Sequence, residues 1–312
     1  MPTATSEKNT VNENHDHHVQ QNFGPRASAY VESAVHASGA DLTRLGDIAR
    51  TAAASQGVDL GCGGGHVAYA IAPYMKTVTA IDLSADMLAA VSQTATERGL
   101  TNIATLRASA EHLPCEDGQF DFLACRFSAH HWHDVHAGLR QAQRVLKPGA
   151  PAIFIDVVSP PSPLLNTHLQ AVELLRDTSH VRNYMLSEWT QMLGQAGFAI
   201  TTCQTSRLRM DFKMWTDRMK TPDAMRAAIR LLQQDAATET KAHFDIEPDG
   251  SFMLDVALFE THRIRRNRLV ASWLACDEPV PITKRVMGAA APQLPRHLPH
   301  QRLLPSESRL RL

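Results

Sequence analysis

Between residues 57 and 158 the chain alternates short apolar, β-branched runs with longer stretches whose apolar positions recur every three or four residues, the form of a parallel βαβ sheet. Strands are expected near 57–60, 77–82, 103–107, 120–126 and 151–157, and helices near 64–73, 85–98 and 134–146. Upstream, residues 23–52 carry a helical pattern, with Asp41 placed as an N-cap before Leu42, Leu45 and Ile48. Downstream, helices are expected near 164–177 and 187–196, the second capped by Ser187, followed by a strand at 198–202 and helices over 212–242. Pro248-Asp249-Gly250 reads as a turn into a last strand, Phe252–Glu260. The fold class that results is α/β, a seven-stranded, mostly parallel sheet with an antiparallel last strand and helices on both faces. Two places are weak: Ala54-Ser55-Gln56-Gly57 gives the first strand few apolar groups, and Pro151 removes a donor where the fifth begins.

Chemistry enters at the end of the first strand. Val58-Asp59-Leu60 runs into Gly61-Cys62-Gly63-Gly64-Gly65, a glycine-dense turn at the carboxyl edge of the sheet, where α/β proteins bind ligands. Glycine there allows positive φ and lets a ligand reach the main chain without a Cβ between. The second strand stops at Asp82, 21 positions after Gly61, about the spacing at which a carboxylate accepts from both hydroxyls of a ribose. A nucleoside-containing ligand is therefore expected. A dinucleotide is disfavoured, because His66 stands where the fingerprint G-x-G-x-x-G needs its third glycine.

Five segments in order then carry a resemblance. They are Asp59 to Gly65, Asp82-Leu83-Ser84 with Met87-Leu88, Ala110-Glu111 with Leu113-Pro114, Phe120-Asp121, and Arg144-Val145-Leu146-Lys147-Pro148-Gly149. Together they resemble the motifs of class I S-adenosylmethionine (SAM)-dependent methyltransferases, in the ubiquinone/menaquinone-biosynthesis branch and its small-molecule relatives. The resemblance spans roughly residues 15–260. It implies a Rossmann-like sheet, SAM as cofactor and transfer of a methyl group to a small-molecule acceptor. It also implies site residues. Cofactor contacts would come from Asp59, Gly61, Gly63, Gly64 and Gly65 on the turn, Arg126 through main chain, Asp82 on the ribose, Leu83 on one adenine face, and Ser109 and Ala110 at the adenine edge. Ser109 departs from the acid or amide usual at that position.

Methyl transfer from a sulfonium is an in-line displacement, so the main demand on the protein is alignment. A base is required only where the acceptor must lose a proton. His131 and His130, on the loop after the fourth strand, are the candidates, since imidazole titrates near neutral pH. Asp156, at the end of the fifth strand, and Arg182 and Tyr184, in a polar insert before the sixth, are candidates for acceptor binding, with Phe23 and Tyr30 closing over the cofactor. Amino-methylating enzymes of DNA carry Asn/Asp-Pro-Pro-Tyr/Phe after the fourth strand, but this chain has Arg126-Phe127-Ser128-Ala129. Cys115 lies before that strand rather than after it and reads as a loop cysteine, not a cytosine-C5 nucleophile. Two alternatives stay open: a protein that binds SAM without catalysis, and, against His66 and the antiparallel last strand, a nicotinamide-dependent oxidoreductase.

Charge and cysteine usage refine the organisation of the 312 residues without changing the class. Residues 262–312 hold ten Lys/Arg against three Asp/Glu, an excess of +7 that leaves −8 on residues 1–261. A mildly acidic body argues against a nucleic-acid surface. Five cysteines without a C-x-x-C pair suggest neither a disulfide framework nor a zinc ribbon, and fit a reducing cytoplasm. No run approaches a membrane span. Residues 1–20 lack apolar period and are expected to be a flexible lead, with His15-Asp16-His17-His18 a solvated tract rather than a metal site. Residues 21–261 form the catalytic domain, and 262–312, rich in Pro and Arg, an extension expected to be disordered.

Overall fold

A computed structural model describes residues 15–27 and 39–265. Its sheet is built from β1 (Gln56–Leu60), β2 (Thr77–Asp82), β3 (Ile103–Arg107), β4 (Phe122–Arg126), β5 (Pro151–Val157), β6 (Phe198–Met210) and β7 (Phe252–Arg263). The spatial order is β3-β2-β1-β4-β5-β7-β6. Neighbours from β3 to β5 pair in parallel, while β7 runs antiparallel to both β5 and β6. The expected sheet, with its antiparallel last strand, is present.

Alternate side chains of each central strand enter cores on opposite faces. Phe122 and Ala124 of β4, with Ile153 and Ile155 of β5, pack on one face with α1 (Ala40–Thr51), α2 (His66–Ile71) and α3 (Ala85–Glu97). Leu123, Cys125, Ala152 and Phe154 pack on the other with α4 (Val135–Val145) and α6 (Leu186–Ala196). Between them in the chain lies α5 (Pro163–Arg176), and α7 (Phe212–Arg218), α8 (Asp223–Asp235) and α9 (Thr238–His243) follow β6. The poor first strand holds because it is central, paired to β2 and β4, and because the Asp121 carboxylate accepts from the amides of Ser55 (2.8 Å) and Gln56 (2.6 Å).

Several boundaries differ from the sequence reading. Residues 15–23 are helical, so the stretch read as a flexible lead includes an ordered end: His15 Nε2 lies 2.9 Å from the His131 carbonyl and His18 Nε2 2.9 Å from Thr178 Oγ1. Gly39, not Asp41, caps α1, because the Asp41 carboxylate is taken by Arg126. Met185, not Ser187, caps α6, with Glu188 accepting from the Met185 amide at 2.8 Å. β6 continues eight residues past Thr202, to Met210, as a solvated edge whose Arg207 and Arg209 pair with Asp255 and Glu247. β7 ends at Arg263, two residues beyond the expected domain limit. The remainder of the basic extension, from residue 266, lies outside the described residues.

Candidate active site

The glycine turn leaves β1 and folds across the end of β2, where the amides of Gly61 and Cys62 both donate to the Ile81 carbonyl (2.9 and 2.8 Å). Gly61 has φ 72°, and a Cβ there would stand 1.9 Å from Ser128 Oγ, so no other residue fits. Asp82 then ties three elements together. Its Oδ2 accepts from the Gly63 amide at 2.8 Å and its Oδ1 from the Ser84 amide at 2.9 Å, while Ser84 caps α3 through Met87 N. Burial raises the Asp82 pKa, although the amides of Ser84, Gly63 and Leu83 pull it back.

Asp59, 1% exposed, accepts from the Ala68 amide at 2.9 Å. Burial, joined by the charge of Asp82 and opposed by Ala68 and Arg126, pushes it up to about 7. Arg126 donates from Nε to Asp41 Oδ2 at 2.7 Å and stacks 4.6 Å above the Phe127 ring. Phe127 itself has φ 51°, a left-handed conformation that costs a non-glycine residue on the order of 1–3 kcal/mol.

These groups line a cleft of about 730 Å³, part of it open to solvent. Of the residues singled out in the sequence for the cofactor, Asp59, Gly61, Gly63, Gly64, Asp82 and Arg126 face it. Val19 and Phe23 of the amino-terminal helical segment line one side; Tyr30 lies outside the described residues. Four expected contacts do not line the cleft. Gly65 is the left-handed N-cap of α2, with φ 80°, and a Cβ there would meet Tyr69 and Val91. Ser109 hydrogen-bonds the side chain of Asp16, the Leu83 carbonyl accepts from Arg107, and Ala110 belongs to the core beneath the sheet.

A second cavity, of about 560 Å³, shares Phe23, Phe127 and His131 with the first. His130 enters it from the 3-10 turn Ala129–His131, with its Nδ1 2.6 Å from Asp156 Oδ1. Burial pulls the imidazole down, but the buried Asp156 carboxylate outweighs it and holds His130 above the ordinary histidine value. His131 differs. Its Nδ1 lies 3.1 Å from the Ser179 carbonyl, and burial together with the neighbouring His130 pushes it down to about 4. The Asp156 side chain, read as an acceptor contact, lies against His130 and lines neither cavity. Arg182 and Tyr184 line neither cavity: Arg182 pairs with Glu188 at 2.8 Å on the surface, and Tyr184 packs edge-on to Trp189. Between them Asn183, 1% exposed, does line the second cavity, together with Arg176 and Glu173. Arg176 and Asn183 lie in the segment 176–184, in which the sequence points to Arg182 and Tyr184 instead, and no motif marks Glu173.

Residues 58–154 match the model of a family described as a methyltransferase domain. The chain is 44% identical over 199 residues to YafE of Escherichia coli K12, an uncharacterized protein, covering 64% of this chain and 96% of that one. It is 33% identical over 224 residues to YcgJ of Bacillus subtilis 168, an uncharacterized methyltransferase, covering 72% and 88%. The crystal structure of YcgJ superposes with a TM-score of 0.69 at 30% identity, over 72% of this chain and 98% of that chain. A putative methyltransferase from Bacillus halodurans C-125 gives a TM-score of 0.70 at 29% identity, over 73% and 100%. The chain belongs to the class I SAM-dependent methyltransferases.

Proposed function

We propose that the protein transfers a methyl group from SAM to a small-molecule acceptor by in-line displacement, the donor in the first cavity and the acceptor in the second. The observation that carries this reading is that the two cavities meet at one wall, formed by Phe23, Phe127 and His131. The first cavity fits an adenosyl sulfonium on chemical grounds. Among the described residues, nothing but the chain neighbours approaches within 4 Å of where a Gly63 Cβ would stand, so main chain is open to a ligand there. Asp82 holds the Gly63 and Ser84 amides on separate oxygens, and each carboxylate oxygen has a second lone pair that can accept from a ribose hydroxyl. Gly61, Gly63 and Gly64 would hold the methionine portion, with Asp59 supplying negative charge toward a cationic ligand.

When bound, SAM supplies an electrophilic methyl group whose loss leaves a neutral thioether. The chain's own part is then alignment, exclusion of water and removal of a proton. His130 suits the last task better than His131. With Nδ1–H donating to Asp156, Nε2 of His130 carries the lone pair, and a pKa held above the ordinary histidine value matches a base working near neutrality. His131, neutral to about pH 4 and tied to Ser179, acts as wall between the two cavities.

Calorimetry with SAM, S-adenosylhomocysteine and NAD tests the cofactor assignment, and binding of NAD alone would refute it. Incubation with isotopically labelled methyl-SAM and a cell extract, followed by mass analysis, identifies the acceptor. Label recovered in nucleic acid rather than a small molecule would refute the acceptor class.

A further inference from the structure

The second cavity has apolar walls, from Val157, Leu208, Met210, Trp215 and Leu254 besides Phe127. Its guanidiniums, Arg176 and Arg218, stand against buried carboxylates: Glu173 feels both charges, and Asp177 feels that of Arg176. Each guanidinium thus has a protein carboxylate beside it, which argues against an ionic acceptor. A different group is left open. Among the described residues, neither the Nδ2 nor the Oδ1 of Asn183, both buried, has a hydrogen-bond partner. A buried carboxamide with no protein partner at either end is a state that native structures rarely show without a functional reason.

The backbone around Asn183 is built to hold it in place. Its amide donates to Gln170 Oε1 at 3.0 Å and its carbonyl accepts from Gln170 Nε2 at 2.7 Å, so one side chain of α5 clamps both main-chain groups. The preceding residues are fixed to the turn that carries the base, because the amides of Val181 and Arg182 both donate to the His130 carbonyl (2.9 and 3.1 Å). The unpaired amide and the imidazole of His130 therefore face one cavity from segments locked together.

We propose that Asn183 selects the acceptor, pairing through both ends of its carboxamide with an adjacent hydrogen-bond donor and acceptor on a flat, uncharged, largely apolar ring, the edge that a cyclic amide presents. This rests on the methyltransferase reading and adds to it a substrate class. A site that hydrogen-bonds one edge rejects an isostere lacking it, because its own buried groups then stay unpaired.

The test uses full-length protein saturated with S-adenosylhomocysteine and three probes of one shape: quinolin-2-one, which has the N–H/C=O edge, and N-methylquinolin-2-one and coumarin, which have only the carbonyl. Quinolin-2-one should bind at least about tenfold more tightly than the other two. Asn183→Leu, of similar size, should abolish the preference while leaving the unfolding midpoint unchanged or raised, since it removes a buried unpaired amide; a merely structural asparagine would lower the midpoint. Asn183→Ala, which removes both ends of the carboxamide, should weaken quinolin-2-one at least about tenfold. Equal binding of the three probes, no binding of any, or a preference that survives either variant overturns the proposal. Failure of the wild-type protein to bind S-adenosylhomocysteine would bring down the methyltransferase reading and this proposal with it; binding of S-adenosylhomocysteine without probe preference brings down this proposal alone.

Discussion

Replacing Asp59 by Asn isolates the most strained charge in the cofactor cleft. The folded value of about 7 stands well above the value of about 3.9 for an unfolded aspartate. Between those values the folded chain keeps a proton that the unfolded chain has released. Stability therefore falls as pH rises through that window, and levels off above about 7. Over the whole window the loss is on the order of 4 kcal/mol. Asn keeps an oxygen for the Ala68 amide and is neutral at every pH. At pH 5 the two proteins carry the same charge at this position, whereas at pH 8 only the wild type bears a buried anion. The advantage of Asp59→Asn over wild type should then grow by about 2–3 kcal/mol from pH 5 to pH 8. Chemical denaturation of the ligand-free proteins at both pH values measures this. A gap that stays constant would refute the reasoning.

Asp59→Asn should lose that advantage once a cation arrives. SAM beside Asp59 favours the ionised form, so binding expels the proton that the free protein holds. At pH 6 about nine tenths of the free protein must ionise on binding, which weakens affinity about tenfold relative to pH 8. Asp59→Asn should bind more weakly at pH 8 and lose this component of the pH slope. Titration calorimetry in buffers of different ionisation heat counts the proton directly. Equal proton release by both proteins would show that the ligand's charge does not sense Asp59.

Four further outcomes follow from the geometry. Asp82→Ala should weaken SAM binding by roughly 1.5–3 kcal/mol, the range for hydrogen bonds to a charged group, and an unchanged dissociation constant would remove Asp82 from the ribose. With an identified acceptor, His130→Ala should lower turnover by about 10²–10⁴, while His131→Ala should keep the pH profile of the wild type. Turnover should rise with pH as His130 loses its proton, and Asp156→Asn, which removes the carboxylate holding that proton, should move the rising limb to lower pH with a lower plateau; a limb that does not move means Asp156 does not tune the base. Gly61→Ala should destabilise the fold by about 1–3 kcal/mol through its positive φ and the contact with Ser128, read by thermal unfolding, and a neutral effect would mean the turn adapts.

Which parts of this site could be read from the sequence follows a physical line. The glycine turn and Asp82 were legible because each sits at a strand end, and parallel pairing of β1 with β2 brings those ends together whatever the side chains elsewhere. Boundaries failed where polarity imitates a loop. The outer half of β6, Cys203 to Arg209, is solvated on an edge and held by pairing to β7 and by ion pairs from Asp255 and Glu247. Its alternation carries no apolar signal, so a strand of 13 residues reads as one of five.

The acceptor side was hidden for a stricter reason: every assignment there turns on which of two neighbours faces inward. Arg182 and Tyr184 have the more expressive chemistry, but two residues apart they share a side of the segment, and Asn183, on the opposite side, is the one buried at the cavity. His130 and His131 are likewise adjacent in a tight turn and diverge. The residue that reaches Asp156, 26 positions away on a different strand, becomes the base candidate, and the other is capped by the Ser179 carbonyl. A sequence shows that two histidines follow the fourth strand, but it does not show which one the end of the fifth strand meets. That choice is made by the parallel register of β4 against β5, in which Arg126 stands beside Ile155, one residue before the aspartate. Shifting that register by one residue would turn Asp156 to the opposite face of the sheet and leave the imidazole without its partner.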